Sequence, residues 1–119
     1  MKLRILNNSI RLRLNQTEVN TFAQEGIVSA ELQFGINSLV YSLKRDHKSQ
    51  KVEANFEGNE ISILVPVAIA DQWILPEEVG FENDDQAKVK LLIEKDFQCL
   101  HKRPNEDESD SFPNPLATR

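Results

Sequence analysis

Cysteine is all but absent: Cys99 is the only one in the chain, so no internal disulfide can form. A lone thiol fits a reducing compartment, and the expected location is cytoplasmic. Long apolar runs are missing as well. The longest, residues 61–70, is interrupted by Ser62 and Pro66 and falls well short of the ~20 residues of a membrane-spanning helix. The first residues, Met1-Lys2-Leu3-Arg4-Ile5, lack the apolar stretch of a signal peptide. No phosphate-binding glycine loop, nucleophile elbow or HExxH pair occurs anywhere, so no cofactor is expected.

What is present is a 119-residue chain, 39% hydrophobic, enough for one domain with its own core. Its formal charge of −5 is unevenly spread. Residues 1–51 hold eight Lys/Arg against four Asp/Glu, and residues 52–97 hold three against eleven. The acidic whole argues against general nucleic-acid affinity, which phosphate contacts dominate. The basic first part keeps a local anion-binding surface open.

Apolar residues alternate in short bursts. Leu3 and Ile5 alternate with Lys2 and Arg4, and Ile10, Leu12 and Leu14 with Arg11 and Arg13. Period-two alternation marks half-buried strands, and Asn7-Asn8 between them suits a tight turn. Asn15 with Glu18 three residues on forms a variant capping box for a helix carrying Val19, Phe22 and Ala23 on one stripe. Gly26 is placed to end it. Two further strands follow, through Val28–Phe34 and Leu39–Leu43.

The order then repeats. Val52, Ala54 and Phe56 alternate, Gly58-Asn59 turns, and Ile61, Ile63 and Val65 alternate back. Pro66 opens a helix with Val67, Ala70, Trp73 and Ile74 on its stripe, and Pro76 stops it. Short strands around Val79–Phe81 and Val89–Ile93 complete the unit. A shift of 51 residues sets Ile10 on Ile61, Leu14 on Val65, Phe22 on Trp73, Val28 on Val79 and Glu31 on Glu82. Recurrence at one spacing points to two copies of one unit, residues 1–46 and 52–96, inside a domain spanning 1–101. The expected fold is mostly β, a small antiparallel barrel or two packed sheets with two short helices. Residues 102–119, with Pro104, Pro113, Pro115 and the acidic run 106–110, form a tail without its own core, either disordered or laid across the domain.

Residues 61–70, Ile-Ser-Ile-Leu-Val-Pro-Val-Ala-Ile-Ala, followed by Trp73, Val79, Phe81 and Glu82, resemble the hairpin and helix start of AbrB-like swapped-hairpin regulators and antitoxins. The resemblance covers residues 52–96. It implies half of a cradle-loop barrel, which two units in one chain could complete, and DNA binding. Antitoxins of that family use acidic tails to engage partners. The whole chain also resembles short bacterial proteins of unassigned function, through the segments Asn8-Ser9-Ile10-Arg11-Leu12-Arg13-Leu14 and Lys95-Asp96-Phe97-Gln98-Cys99-Leu100.

Three groups of residues carry candidate chemistry. Lys2, Arg4, Arg11 and Arg13 fall on one face of the first hairpin, where four cations could hold phosphates or a partner's carboxylates. Phe112 and Leu116 are apolar anchors in the acidic tail and candidate partner contacts. Cys99 and His101, two apart on an extended chain, could share a metal ion or act as a nucleophile–base pair. Zinc asks for four ligands, and no standard ligand spacing is present, so no metal is expected. The function expected from these features is a non-catalytic protein-interaction or regulatory module with a protein partner. The first alternative is a DNA-binding or antitoxin-like regulator using the basic hairpin. The second is a metal- or cysteine-dependent enzyme.

Overall fold

Residues that tolerate positive φ set the hairpin turns. Asn7 takes φ 51°, Gly58 and Asn59 take 58° and 62°, and Gly35 takes 60°. Asn or Gly reaches this region at little steric cost, so these turns fix the registers of the strands they join. A computed structural model describes residues 1–97 and 109–114. Its elements are β1 (Lys2–Leu6), β2 (Ser9–Leu14), α1 (Gln16–Glu25), β3 (Ile27–Phe34), β4 (Asn37–Asp46), β5 (Glu53–Glu57), β6 (Glu60–Pro66), α2 (Val67–Trp73), β7 (Gly80–Glu82) and β8 (Lys90–Lys95).

The capping box forms as the sequence dictates. The Asn15 side chain accepts from the Glu18 amide at 2.9 Å, and the Glu18 carboxylate accepts from the Asn15 amide at 2.9 Å. Gly26 closes α1 in the left-handed conformation with φ 76°, its N–H donating to the Phe22 carbonyl. The Asn15 N-cap contributes about 1 kcal/mol.

The strands form two four-stranded sheets, ordered β1-β2-β8-β7 and β3-β4-β6-β5. Of the two architectures the sequence allowed, the packed sheets are the one that forms. Among the described residues no closed barrel exists, because β1, β7, β3 and β5 are all edges. The sheets are mixed rather than purely antiparallel. Each is built from two antiparallel hairpins joined by a parallel central pair, β2 with β8 and β4 with β6. After each helix the chain enters the opposite sheet, so its returning strand lies beside the other hairpin's second strand and runs with it. One-sided alternation survives because most outward positions carry polar side chains, Arg11 and Arg13 on β2, Ser42 and Lys44 on β4, Glu60 and Ser62 on β6, and Lys90 and Glu94 on β8.

The core lies between the sheets. Leu12, Leu14, Leu43, Ile63, Val65, Leu91 and Ile93 are buried there. Phe22 of α1 and Trp73 of α2 join them, with ring centroids 5.9 Å apart, and Trp73 also meets Phe81 edge-on at 5.5 Å. The Trp73 ring N–H donates to the Val79 carbonyl. Truncating such an aromatic to alanine costs about 3–5 kcal/mol. Burial falls along each inward strand face away from the helices: Leu14 and Leu12 are buried while Ile10 is partly open, and Val65 and Ile63 are buried while Ile61 is partly open. The helices therefore seal one end of the sandwich and the other end is open.

The registers of the two halves correspond. Lys2↔Arg13 through Leu6↔Ser9 in the first hairpin match Glu53↔Leu64 through Glu57↔Glu60, 51 residues on. The match of β7 differs from the sequence expectation. Val28 lies opposite Leu43 and Phe81 opposite Ile93, so Val28 corresponds to Phe81 rather than Val79. Glu82 likewise corresponds to Ser29, not Glu31. The cause is the link after each helix. Gly26 alone separates α1 from β3, whereas residues 74–79 separate the shorter α2 from β7.

Residues 109–114 lie across the domain. Phe112 bridges Phe97 in parallel, with its N–H donating to the Asp96 carbonyl at 2.8 Å. The Gln16 amide donates to the Asp110 carbonyl at 2.9 Å, and the Gln16 side chain to the Ser111 carbonyl at 2.9 Å. The strap thereby satisfies a backbone donor that the first turn of a helix leaves open.

Candidate functional site

The first hairpin does bring Lys2, Arg4, Arg11 and Arg13 together. Its register places Lys2 opposite Arg13 and Arg4 opposite Arg11, two like-charged cross-strand pairs on the outer face of the first sheet. Directly opposed like charges are destabilising. The parallel neighbour β8 relieves them. Glu94 lies beside Arg13 in the ladder, and its Oε1 accepts from Arg11 Nε at 2.6 Å and from Arg13 Nε at 2.9 Å. Lys2 Nζ reaches Asp96 Oδ2 at 2.9 Å. Arg4 is exposed and, among the described residues, makes no ion pair.

Arg4 and Arg11 line a 440 Å3 hollow on this face. Leu6 and Leu92 supply its apolar surface, and Glu82, Asp85 and Lys90 its remaining charges. The hollow stops at β1, which among the described residues is an edge strand paired with β2 alone. On the inner side of that edge, Ile5 is 57% exposed. Among the described residues, β1 therefore has an unpaired backbone edge, cations on one face and an exposed apolar side chain on the other.

The open end of the sandwich forms a second hollow, of 480 Å3. It is lined by residues from matching places in the two halves: Ile5 and Phe56, Ile10 and Ile61, Leu39 and Val89. Among the described residues no charged side chain lines it; Asn7, Asn8 and Asn55 provide its amides.

At the sealed end, Lys95 holds an inward position and is 3% exposed. Its Nζ donates to the Leu75 carbonyl at 2.8 Å and lies 5.5 Å from the centre of the Phe112 ring. Burial holds its ammonium below the usual lysine range, with Glu78 acting in the opposite sense. On the second sheet, Ser29 donates to Ser42 at 2.7 Å and Ser42 donates to Glu60 at 2.6 Å. The Ser42 hydroxyl holds the Glu60 carboxyl below the ordinary glutamate value, with Lys44 helping.

Of the tail candidates, Phe112 packs on Phe97 with centroids 5.9 Å apart, so it contacts its own domain. Leu116, Cys99 and His101 lie outside the described residues. Among the described residues no group of three or more His, Cys, Asp and Glu stands close enough to hold a metal. Among the described residues no helix is long and apolar enough to cross a membrane. Sequence reasoning missed Glu94, Ile5 and Phe56 as site residues. Glu94 alternates with Ile93 and Lys95, which placed it on an outer face, but nothing local showed which strand would lie beside it.

A family model described as a family of unknown function, DUF7009, matches residues 1–116. The chain belongs to this family. The match spans both sheets, both helices and the described strap residues. The search of curated proteins and the search of solved structures each returned no match. None of these comparisons shows the AbrB-like resemblance of residues 52–96.

Proposed function

We propose that this DUF7009 protein is a non-catalytic protein-interaction module that binds an extended segment along the β1 edge. The observation that carries the reading is the combination at β1: among the described residues, a strand edge without a pairing partner and Arg4 without an acidic partner, together with Ile5 57% exposed on the opposite face. A strand added there gains backbone hydrogen bonds, and side-chain alternation sets its specificity. Its outward residue beside Arg4, which has no ion-pair partner among the described residues, is acidic. Its inward residues cover Leu3 and Ile5, so they are apolar. The nucleic-acid alternative needs free cations, and Glu94 and Asp96 already engage Arg11, Arg13 and Lys2.

The matching hairpin registers and the Phe22–Trp73 contact support an internal duplication of a hairpin–helix–hairpin unit. On that reading β1 and β5 descend from one strand. The single cysteine supports a cytoplasmic setting.

The test is fluorescence anisotropy of a labelled peptide of alternating glutamate and valine, titrated with the full chain at low and high salt. Binding at low salt, weakened by salt and reduced about tenfold by Arg4→Glu, is the expected result. Absence of binding at low salt, or equal binding by Arg4→Glu, overturns the reading.

A further inference from the structure

The two outer strands at matching places in the halves carry opposite charge. In β1, Lys2 and Arg4 alternate with Leu3 and Ile5. In β5, Glu53, Asn55 and Glu57 alternate with Ala54 and Phe56. Both strands are edges, β1 of one sheet and β5 of the other. Both leave an inward apolar side chain uncovered, Ile5 at 57% and Phe56 at 67% exposure. Among the described residues neither Arg4 nor Glu57 has an ion-pair partner. The segment expected to dock on β1, acidic outward and apolar inward, is the pattern β5 presents.

We infer that the partner of the β1 edge is the β5 edge of a second copy of this chain. This rests on the reading of β1 as the binding surface. In full register with the inward faces aligned, Lys2 faces Glu53 or Glu57, Arg4 faces Asn55 with the two glutamates diagonal to it, and Ile5 faces Phe56 or Ala54. The first sheet of one copy then continues into the second sheet of the next. Within one chain the two edges belong to different sheets. After one contact each copy retains a free edge, β5 on one and β1 on the other. The contact is heterologous, so assembly passes beyond the dimer unless the rotation between copies closes a ring. Charge complementarity of this kind sets specificity and makes association depend on ionic strength.

Sedimentation velocity of the full chain, from micromolar to millimolar and at low and high salt, tests it. The expected result is an average mass that rises with concentration and falls with added salt. Arg4→Glu alone, and the double change Glu53→Lys with Glu57→Lys, should each weaken self-association about tenfold or more. An equimolar mixture of the two variants should restore it, because each reversed edge then meets its complement. Both variants change exposed edge residues, and circular dichroism checks that they fold. A chain monomeric under all conditions, or a mixture that does not reassociate, overturns the inference. The peptide titration separates this from the underlying reading. If the Glu53→Lys/Glu57→Lys variant still binds the acidic peptide while wild type stays monomeric, β1 is the binding edge and its partner is another protein. If the peptide fails as well, both readings fall.

Discussion

Replacing Phe112 by alanine tests whether the strap is part of the fold. The ring is half-buried, packs on Phe97 with centroids 5.9 Å apart, and lies 5.5 Å from Lys95 Nζ. Complete loss of a buried phenylalanine costs about 3–5 kcal/mol, and the half-buried ring about half of that, near 2 kcal/mol. For a domain of this size each kcal/mol lowers the melting temperature by about 4 °C, so Phe112→Ala should melt about 8 °C below wild type. Phe112→Leu keeps apolar contact and loses mainly the aromatic pairing, about 1 kcal/mol. The assay is differential scanning calorimetry of the full chains, with urea unfolding as a second measure. Hydrogen exchange should show the Gln16 amide losing protection in the alanine variant, since its acceptor is the Asp110 carbonyl. Unchanged melting with a still-protected Gln16 amide would refute the strap as a stabilising element.

Other substitutions bear on separate parts of the account. Glu94→Gln removes the carboxylate shared by Arg11 and Arg13, and should cost about 1–2 kcal/mol in urea unfolding, an effect that shrinks as salt is added. Trp73→Ala should cost about 3–5 kcal/mol, and a loss below 1 kcal/mol would contradict a core built around the Phe22–Trp73 contact. Asn15→Ala should cost about 1 kcal/mol by opening the capping box of α1. Acid unfolding probes Glu60. Because Ser42 depresses its folded pKa, its contribution is present above 4.5 and is lost as pH falls through the folded value. The stability of Glu60→Gln should therefore decline less than that of wild type across that window, and parallel declines would contradict the Ser42 bond.

Local features were legible because their causes are local. Asn7, Gly58 and Asn59 announced turns, Asn15 and Glu18 a helix start, and Gly26 its end, and each appears where its chemistry requires. Alternation gave the strands and the four-cation face. Which strands would lie side by side was not legible. Glu94 stands 83 residues from Arg11, and only the parallel pairing of β2 with β8 makes it the counter-ion. Alternation reports one buried face and is silent on strand direction, so the mixed sheets escaped it as well. The two-residue displacement of β7 was hidden because Val79 and Phe81 have the same parity, and either fits an inward position. The strap depends on a contact between Phe112 and Phe97, a pairing that no periodicity could signal.

The claim that β1 is the binding edge is tested most directly by amide chemical-shift mapping with the acidic–apolar peptide. The account predicts the largest changes in residues 2–6, smaller ones at Arg11 and Arg13 across the hairpin, and none at the tip of β3 and β4. Changes centred instead on the strap, the β3–β4 tip or the open mouth around Leu39 and Val89 would contradict it.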